Sequence, residues 1–359
     1  MSARRRVAIV GAGIGREHLR GYLAVSDRFE VATLCDIDTD RARTVLAEEA
    51  PHGGIGVEGE LERVLEDRAI DLVDICLPPH LHAEAATAAM RAGKHVVCEK
   101  PLVPSLAEAD ALLAVAGETG RMLVPVFQYR YGPATAKLRA LIEAGLAGRP
   151  QVASLETHWD RRADYYAVPW RGTWAGENGG AVLGHAIHNH DLLRVFMGPV
   201  ASVLAHVATR VNAIEVEDCA AIAFRMENGS LATSSITLGA ATDTTRLRLC
   251  FEHLSVESGA SPYRPAEDEW RFVARDAAMQ AEVDAVVAGV GVVRSGFAGF
   301  FEAVADALDG KGGSEVTAED GRASIELVAA IYQSARGGNS VALPLDGRSS
   351  LYKGWAPVC

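Results

Sequence analysis

The sequence carries a lysine where parallel sheets place reactive side chains. Residues 94–98 are typical of a buried strand, and Glu99 and Lys100 follow directly. Pro101 then ends the strand, because proline has no N–H and a fixed φ. Ligands of parallel sheets bind at the carboxyl ends of the strands. This position favours Lys100 as a residue beside the reacting end of a bound cofactor, although Glu99 and Lys100 also suit a solvated loop.

A second candidate group is rich in histidine. His185, His188 and His190 lie in residues 181–197, which we predict to be one helix. His185 and His188 would share a helix face, with Asp191 close to His188. Histidine titrates near neutral pH, so His188 suits acid–base catalysis. A metal site is the alternative, but no carboxylate or cysteine stands at a spacing that completes a ligand set, so we predict no metal.

Glycines near position 11 are typical of a dinucleotide site. The apolar run 7–10 leads into Gly11, Gly13, Ile14 and Gly15, and a helix is predicted over 16–25. Such a turn lets the backbone approach a pyrophosphate at a helix N-terminus. The fingerprint is irregular, because its third glycine comes one residue earlier than in G-x-G-x-x-G.

Asp36 ends the predicted second strand, residues 29–35. It lies about 25 residues after Gly11, near the usual spacing of the acid that binds the adenosine ribose. Its carboxylate would accept hydrogen bonds from the ribose hydroxyls and repel a 2′-phosphate. Ile37 follows and no arginine is adjacent, so we favour NAD over NADP. The alternative is that Asp36 caps a helix beginning near Asp38.

The elements that position these residues alternate through the first third of the chain. Strands are predicted over 7–10, 29–35, 55–57, 72–77, 94–98 and 122–127, with helices between them. This alternation predicts an α/β fold, a doubly wound parallel sheet over residues 1–127.

The pattern then changes to longer strands. Strands are predicted over 151–160, 202–208, 219–226, 230–238 and 246–251, with helices over 134–144, 297–308 and 318–336. Asn228-Gly229 is a hairpin signal. Aromatic residues between 161 and 180 suit sugar rings or ordinary packing. We predict a second domain, residues 128–359, of α+β type with a large, mainly antiparallel open sheet.

Composition narrows the class of protein. The net charge of −12 offers no basic field for nucleic acid or an anionic membrane, and no apolar run is long enough to span a bilayer. Six scattered cysteines without a Cys-x-x-Cys pair indicate reduced thiols and a cytoplasmic protein.

Several motifs in order resemble the Gfo/Idh/MocA oxidoreductases, named for glucose–fructose oxidoreductase and inositol dehydrogenase. They are the turn Leu77-Pro78-Pro79-His80-Leu81-His82, the stretch from Gly93 to Pro101, Gln128-Tyr129-Arg130-Tyr131, Pro169-Trp170-Arg171-Gly172, Gly179-Gly180-Ala181, the pair His188 and Asp191, and segments 316–322 and 330–335. The resemblance covers nearly the whole chain.

The resemblance implies roles for particular residues. Glu99 and Lys100 would approach the nicotinamide, and Lys100 and His188 would flank the substrate carbon as catalytic residues. Leu77, Pro78, His82 and Gln128 are expected to join the cofactor site, and Arg130, Trp170, Arg171, His185 and Asp191 to contact the substrate. Many relatives carry Asp or Asn where this chain has Gly184, so the resemblance does not transfer a substrate.

The expected function is an NAD-dependent dehydrogenase that acts on a secondary alcohol of a sugar, glycoside or cyclitol. Two alternatives are an NAD-retaining redox glycosidase and a non-catalytic regulatory protein that binds a nucleotide. The resemblance also implies a homodimer or homotetramer formed through the C-terminal sheet.

Overall fold

The computed structural model describes residues 4–357 and shows two structural units. Unit 1 comprises Met1–Gln128 and Gly296–Ile325, and unit 2 comprises Tyr129–Ser295 and Glu326–Cys359. The chain therefore returns to unit 1 after building most of unit 2.

Six parallel strands form the sheet of unit 1. They are β1 (Arg5–Val10), β2 (Phe29–Cys35), β3 (Gly56–Glu58), β4 (Leu72–Ile75), β5 (His95–Cys98) and β6 (Leu123–Pro125), in the order β3-β2-β1-β4-β5-β6. The helices are α1 (Gly15–Ala24), α2 (Thr39–Glu49), α3 (Leu61–Glu66), α4 (His82–Arg91) and α5 (Leu106–Thr119). This confirms the predicted doubly wound parallel sheet, with its order reversing beside β1, where such sheets bind ligands.

Unit 2 contains an eight-stranded sheet. Its strands are β7 (Pro150–Asp160), β8 (Val200–Ala208), β9 (Cys219–Met226), β10 (Leu231–Thr237), β11 (Gly239–Phe251), β12 (Leu254–Glu257), β13 (Arg271–Ala274) and β14 (Val341–Ala342), in the order β13-β12-β11-β7-β10-β9-β8-β14. Only the β7–β10 pair is parallel among these described strands, which confirms the mainly antiparallel sheet. Asn228-Gly229 does form the hairpin between β9 and β10.

The remaining helices follow in chain order. They are α6 (Pro133–Glu143), α7 (Trp174–Glu177), α8 (Ala181–Gly184), α9 (Ile187–Met197), α10 (Ala277–Gly289), α11 (Gly296–Leu308) and α12 (Ala318–Gly337). In unit 1, α11 packs against α1: the Phe301 ring stacks on Tyr22, with 3.7 Å between centroids. Arg28 also pairs with Asp306 at 2.9 Å.

The prediction of one helix over 181–197 is wrong. The N–H groups of His185 and Ala186 both donate to the carbonyl of Ala181, at 3.2 and 2.9 Å, and this closes α8. A new helix, α9, then starts at Ile187. Because the helix is broken, His185 and His188 do not share the face of one helix.

No helix within residues 4–357 is both long and apolar enough to cross a membrane. Cys35, Cys76, Cys98, Cys219 and Cys250 are free thiols. The prediction of reduced thiols also included Cys359, which lies outside the described residues.

Candidate active site

The glycine turn after β1 leaves one glycine facing open space. A Cβ atom on Gly13 would meet no described atom within 4 Å. Gly11, by contrast, has a φ of +104°, and a Cβ there would lie 2.4 Å from the carbonyl oxygen of Cys76. A Cβ on Gly15 would lie 2.9 Å from the side chain of Ile9. The third glycine therefore serves packing against β1, while Gly13 leaves room for a ligand.

Asp36 presents a buried carboxylate at the end of β2. It accepts hydrogen bonds from the N–H groups of Ala12 (2.7 Å) and Asp38 (2.8 Å), and Arg41 binds both of its oxygens at 2.6 and 2.8 Å. Burial opposes ionisation, but these donors outweigh it and lower the pKa of Asp36. The cap of α2 is Asp38, so the alternative of a capping role for Asp36 is wrong. Ile37, beside it, is 93% exposed.

The turns after β4 and β5 are tied together by a histidine. His82 is buried, with Nδ1 2.9 Å from the carbonyl oxygen of Pro101 and Nε2 2.8 Å from that of Leu77. Leu77 is half-buried and Pro78 is exposed. Burial lowers the pKa of His82, so its neutral ring donates its one N–H to one of these carbonyls and only packs against the other. Of the predicted cofactor residues here, His82 thus contacts the backbone of both turns, and Leu77 and Pro78 form the surface of one.

Glu99 and Lys100 lie where the sequence predicts, directly after β5. The Glu99 N–H donates to Ile75 at 2.9 Å and so extends the strand pairing. Its carboxylate accepts the N–H of Lys100, also at 2.9 Å. Glu99 is 7% exposed and Lys100 is half-buried. The turn is therefore held by its own glutamate.

Gln128 ends the first segment of unit 1. Its side-chain oxygen is buried and accepts no hydrogen bond from residues 4–357. A buried amide without a partner is costly unless a ligand or water completes it. This is consistent with the predicted place of Gln128 at the cofactor.

Three of the predicted substrate residues come together in unit 2. The Arg171 guanidinium lies 4.0 Å from the ring centroid of Tyr165 and 4.9 Å from that of Trp170. The His185 ring lies 5.1 Å from Trp159, edge to face. We call this group, with Arg161 and Tyr263 beside Trp159, the aromatic–arginine cluster. Flat faces and polar edges of this kind suit the apolar and hydroxylated sides of a sugar ring.

An open cleft elsewhere in unit 2 contains none of the predicted substrate residues. It has a volume of 680 Å³ and is lined by residues that include Asp160, Arg162, Tyr166, Asn212 and Ile214. The volume of this cleft therefore does not locate a substrate site in unit 2, because the predicted substrate residues lie elsewhere in the unit.

His188 lies in the first turn of α9 and is 4% exposed. Its ring stacks on Tyr129, with 4.4 Å between centroids and 23° between planes. His190 turns towards the sheet instead, with Nε2 3.1 Å from the hydroxyl of Ser234. Burial lowers the pKa of His190 to about 4, so this imidazole is neutral. Of the two, His188 stacks on an aromatic ring and His190 contacts the sheet.

Arg130 and Asp191 bind each other. Two hydrogen bonds of 2.7 and 2.6 Å join the guanidinium and the carboxylate, whose side chains are 6% and 0% exposed. Direct substrate contact by either residue has no support in this geometry. The pair instead fixes the segment before α6 to α9, the helix that carries His188.

A buried carboxylate that is not among the predicted site residues holds the start of α8. Glu217 accepts the N–H groups of Gly180 (3.1 Å) and Val182 (2.9 Å) and the hydroxyl of Tyr332 (3.0 Å). Burial raises the pKa of Glu217 to about 7 in spite of these donors. No signal marks it in the sequence, because the acidic run 215–218 looks like a solvated turn.

The two predicted catalytic residues belong to different units. Lys100 is part of unit 1 and His188 of unit 2. Their joint action on one substrate carbon therefore stays a prediction. Within unit 1, the open face at Gly13, the ribose-type acid at Asp36 and the Lys100 turn all lie at the carboxyl ends of parallel strands, as a dinucleotide requires.

Comparison with protein families identifies both parts of the chain. Residues 5–127 match the Gfo/Idh/MocA model described as an oxidoreductase family with an NAD-binding Rossmann fold. Residues 135–257 match the C-terminal domain of the same family. The matches cover 123 residues each, and together 246 of the 359 residues.

Characterised proteins are similar over part of their length. The chain is 31% identical over 218 residues to levoglucosan dehydrogenase of Pseudarthrobacter phenanthrenivorans, which is 56% of this chain and 54% of that protein. It is 28% identical over 237 residues to myo-inositol 2-dehydrogenase of Thermotoga maritima, 63% of this chain and 66% of that one. The matched part is thus between about half and two thirds of these relatives.

A solved structure matches over almost the whole chain. It is the WlbA dehydrogenase from Bordetella pertussis in complex with NADH and UDP-GlcNAcA, with a TM-score of 0.82 and 28% identity. The match covers 96% of this chain and 100% of that one.

Proposed function

The chain belongs to the Gfo/Idh/MocA family of NAD-binding oxidoreductases, and on that premise we propose that it is an NAD-dependent dehydrogenase. It oxidises a secondary alcohol of a sugar, glycoside or cyclitol, or reduces the corresponding ketone. The observation that carries the proposal is the carboxyl edge of the unit 1 sheet, where a nucleotide-type face and a lysine occur together.

Unit 1 supports NAD through its own donors and acceptors. Gly13 leaves space for a pyrophosphate, and α1 begins two residues later, so its first N–H groups and positive dipole end suit phosphate oxygens. Asp36 stands at the position of a ribose-binding acid, and its carboxylate would exchange the exposed Arg41 for the ribose hydroxyls and then disfavour the 2′-phosphate of NADP. Ile37 gives an exposed apolar surface for the adenine.

Lys100 and His188 have different roles at the reacting oxygen of the substrate. When bound, NAD supplies the carbon that accepts the hydride. Lys100 donates a hydrogen bond to the substrate oxygen and stabilises the negative charge that develops there. His188 accepts the hydroxyl proton in the oxidation and returns it in the reduction. Lys100 is an alternative base, because burial near a cation lowers the pKa of a lysine.

Relatives and the aromatic–arginine cluster support a sugar-like substrate. The names of two relatives specify levoglucosan and myo-inositol, and the matching structure holds a nucleotide sugar acid. In this chain, Trp170 is 48% exposed beside Arg171, so part of the cluster is available to a ligand. The family resemblance implies Asp or Asn at the position of Gly184, so the identity of the sugar is not carried over from these relatives.

The test is reduction of NAD, followed by absorbance at the wavelength of NADH, across free sugars, glycosides and cyclitols. Lys100→Ala and His188→Asn should each lower kcat by about 10²-fold or more and leave NADH binding within about threefold. Lys311→Ala and His206→Asn are matched controls, since both residues are exposed. Wild-type turnover in both active-site variants would refute these roles. Release of an aglycone without net NADH would favour the redox glycosidase.

Self-association through the sheet of unit 2 is a further part of the proposal, as is a cytoplasmic location. Alternate side chains on β7, β8, β9 and β10 are exposed, among them Val152, Leu204 and Leu231 at 41–55%. Val152 and Leu231 are direct neighbours across the β7–β10 pair. A second copy covering this face would give a homodimer or homotetramer, which light scattering would measure.

A further inference from the structure

A buried charged cluster lies beneath the Glu99–Lys100 turn in unit 1. His18, in the second turn of the glycine-linked helix α1, is fully buried. Its Nδ1 lies 2.8 Å from a carboxylate oxygen of Asp74, and its Nε2 lies 3.0 Å from a carboxylate oxygen of Glu99. Asp74 is also fully buried, in the middle of the sheet on β4.

The hydrogen-bond contacts of His18 bear on the protonation state of its imidazole. A neutral imidazole has one N–H, so its second nitrogen would direct a lone pair at a carboxylate oxygen. With both carboxyl groups ionised, both contacts are favourable when the imidazole carries two N–H groups and thus a positive charge, whereas a neutral imidazole would need one carboxylic acid to donate its O–H. Burial opposes that charge, but the Asp74 carboxylate, helped by the Cys76 sulfur, outweighs it and raises the pKa of His18 well above its ordinary value. His18 is therefore an imidazolium between two carboxylates.

The other groups that face His18 do not compete for the charge. The Cys76 thiol lies 3.3 Å from Nδ1, and burial raises its pKa, so it stays neutral. Burial likewise raises the pKa of Tyr22, which stays protonated. The rings of Phe297 and Phe301, at 4.5 and 5.6 Å between centroids, cover the imidazole from α11. His18 is therefore the cation that balances the negative charges of the Asp74 and Glu99 carboxylates.

The same three side chains His18, Asp74 and Cys76 are close enough to suggest a metal site. Hydrogen bonding describes them better, because Nδ1 and the Asp74 oxygen are only 2.8 Å apart. Two ligands bound tetrahedrally at about 2.0 Å from an ion would lie roughly 3.3 Å apart. Glu99 then completes a chain of hydrogen bonds rather than a coordination sphere.

We propose that His18 is the positioning residue of the Lys100 turn. Anchored by Asp74, it holds one oxygen of Glu99 as a carboxylate, while the other oxygen accepts the Lys100 N–H. A charge in the core of the sheet thereby sets the geometry and the electrostatics of the turn that presents the lysine. The inference rests on the proposed function only in that Lys100 is taken to act at the reacting carbon.

The decisive variant is His18→Gln in the full-length chain. Without the imidazolium, the two buried carboxylates lose the cation that lies between them, and one of them should take up a proton. We expect kcat to fall by about 10²-fold through misplacement of Lys100, and its pH profile to gain an ionisation between about pH 5 and 8. A merely structural role would lower kcat by one factor at every pH. His52→Gln, at an exposed histidine, is the matched control.

A double-variant cycle tests the route through Glu99. In a Glu99→Gln background, His18→Gln should change kcat by less than about threefold, because the group it acts on is already altered. Independent, multiplying effects would overturn the proposal, as would a pH profile without the new ionisation. The role of Lys100 in the proposed function is tested separately: wild-type turnover in Lys100→Ala would contradict that role. The cycle of His18 and Glu99 variants does not measure it.

Asp74→Asn covers the case in which His18→Gln does not fold. The amide keeps the size of the carboxyl but removes the main anion that raises the pKa of His18. The imidazole should then lose its proton within the assay range, so kcat should fall as pH rises. A kcat that falls equally at all pH values in this variant would also overturn the proposal.

Discussion

Replacing Asp36 by serine should shift the chain from NADH towards NADPH. In the structure, Asp36 and Arg41 neutralise each other at the end of β2. The Asp36 side chain is 2% exposed and that of Arg41 is 51% exposed. Asp36→Ser removes the carboxylate that we propose binds the ribose, and it leaves the Arg41 guanidinium without this carboxylate, in the region where a 2′-phosphate would lie.

The size of the shift follows from these two changes. Loss of charge-assisted hydrogen bonds to the ribose costs about 1.5–3 kcal/mol, or about 10- to 100-fold in the Kd of NADH. A guanidinium about 4 Å from a phosphate charge gains roughly 4 kcal/mol at an effective dielectric of 20. Because Arg41 is half exposed, screening reduces this gain to about 1–2 kcal/mol. The ratio of the two Kd values should therefore change by about 10²- to 10³-fold.

Titration of protein fluorescence with NADH and NADPH measures both Kd values without a substrate. Arg41→Ala added to Asp36→Ser should abolish the gain in NADPH affinity. Arg43→Ala is the control, because Arg43 lies on the same helix and pairs with the exposed Asp40 instead. The reasoning is refuted if NADPH binding does not tighten in Asp36→Ser, or if the double variant keeps the gain.

Three further predictions concern unit 2. Burial raises the pKa of Glu217 from 4.5 to about 7, so its protonated form stabilises the fold fully below pH 4.5. The free energy of unfolding should fall by about 3 kcal/mol as the pH rises from 4.5 to about 7. Urea unfolding at a series of pH values should show this decrease in the wild type and not in Glu217→Gln. Arg130→Ala should lower the free energy of unfolding by about 3–5 kcal/mol, since it strands the buried charge of Asp191, whereas the double alanine variant should lose less; equal losses would contradict this. A Cβ on Gly184 meets no described atom within 4 Å, so the free energy of unfolding of Gly184→Asp should lie within about 0.5 kcal/mol of that of the wild type. The same variant should change the KM for the sugar-type substrate that we propose. A large loss of stability would show that the position is packed.

The strands of unit 1 could be predicted from the sequence because each is a short apolar run between turn residues. Val7, Ala8 and Ile9 are fully buried, as a strand covered on both faces requires. The break between α8 and α9 could not be predicted, because the apolar pattern continues through it. Hydrogen bonds to Ala181 decide that break, together with Glu217, which lies in a distant segment.

The candidate site shows a similar division. Strand ends and glycine spacing were enough to locate Asp36 and Lys100, because both are set by local sequence. Asp74 did carry a signal, since an acid inside the apolar run 72–77 must find a partner. The sequence could not say that the partner is His18, because the packing of α1 on the sheet brings them together. Likewise, the pairing of Arg41 with Asp36 depends on the geometry of α2.

The return of α11 to unit 1 has a consequence for the order of events during synthesis. Arg28 and Asp306, which join this helix to the first part of the unit, are 278 positions apart. At about 5–20 residues per second, the ribosome needs on the order of tens of seconds to cover that distance. Throughout that interval, Tyr22 and His18 have emerged from the ribosome but lack the contact with the Phe301 ring that covers them in the folded chain. The nascent chain thus presents an apolar surface to chaperones, and fragments that stop near residue 128 should aggregate.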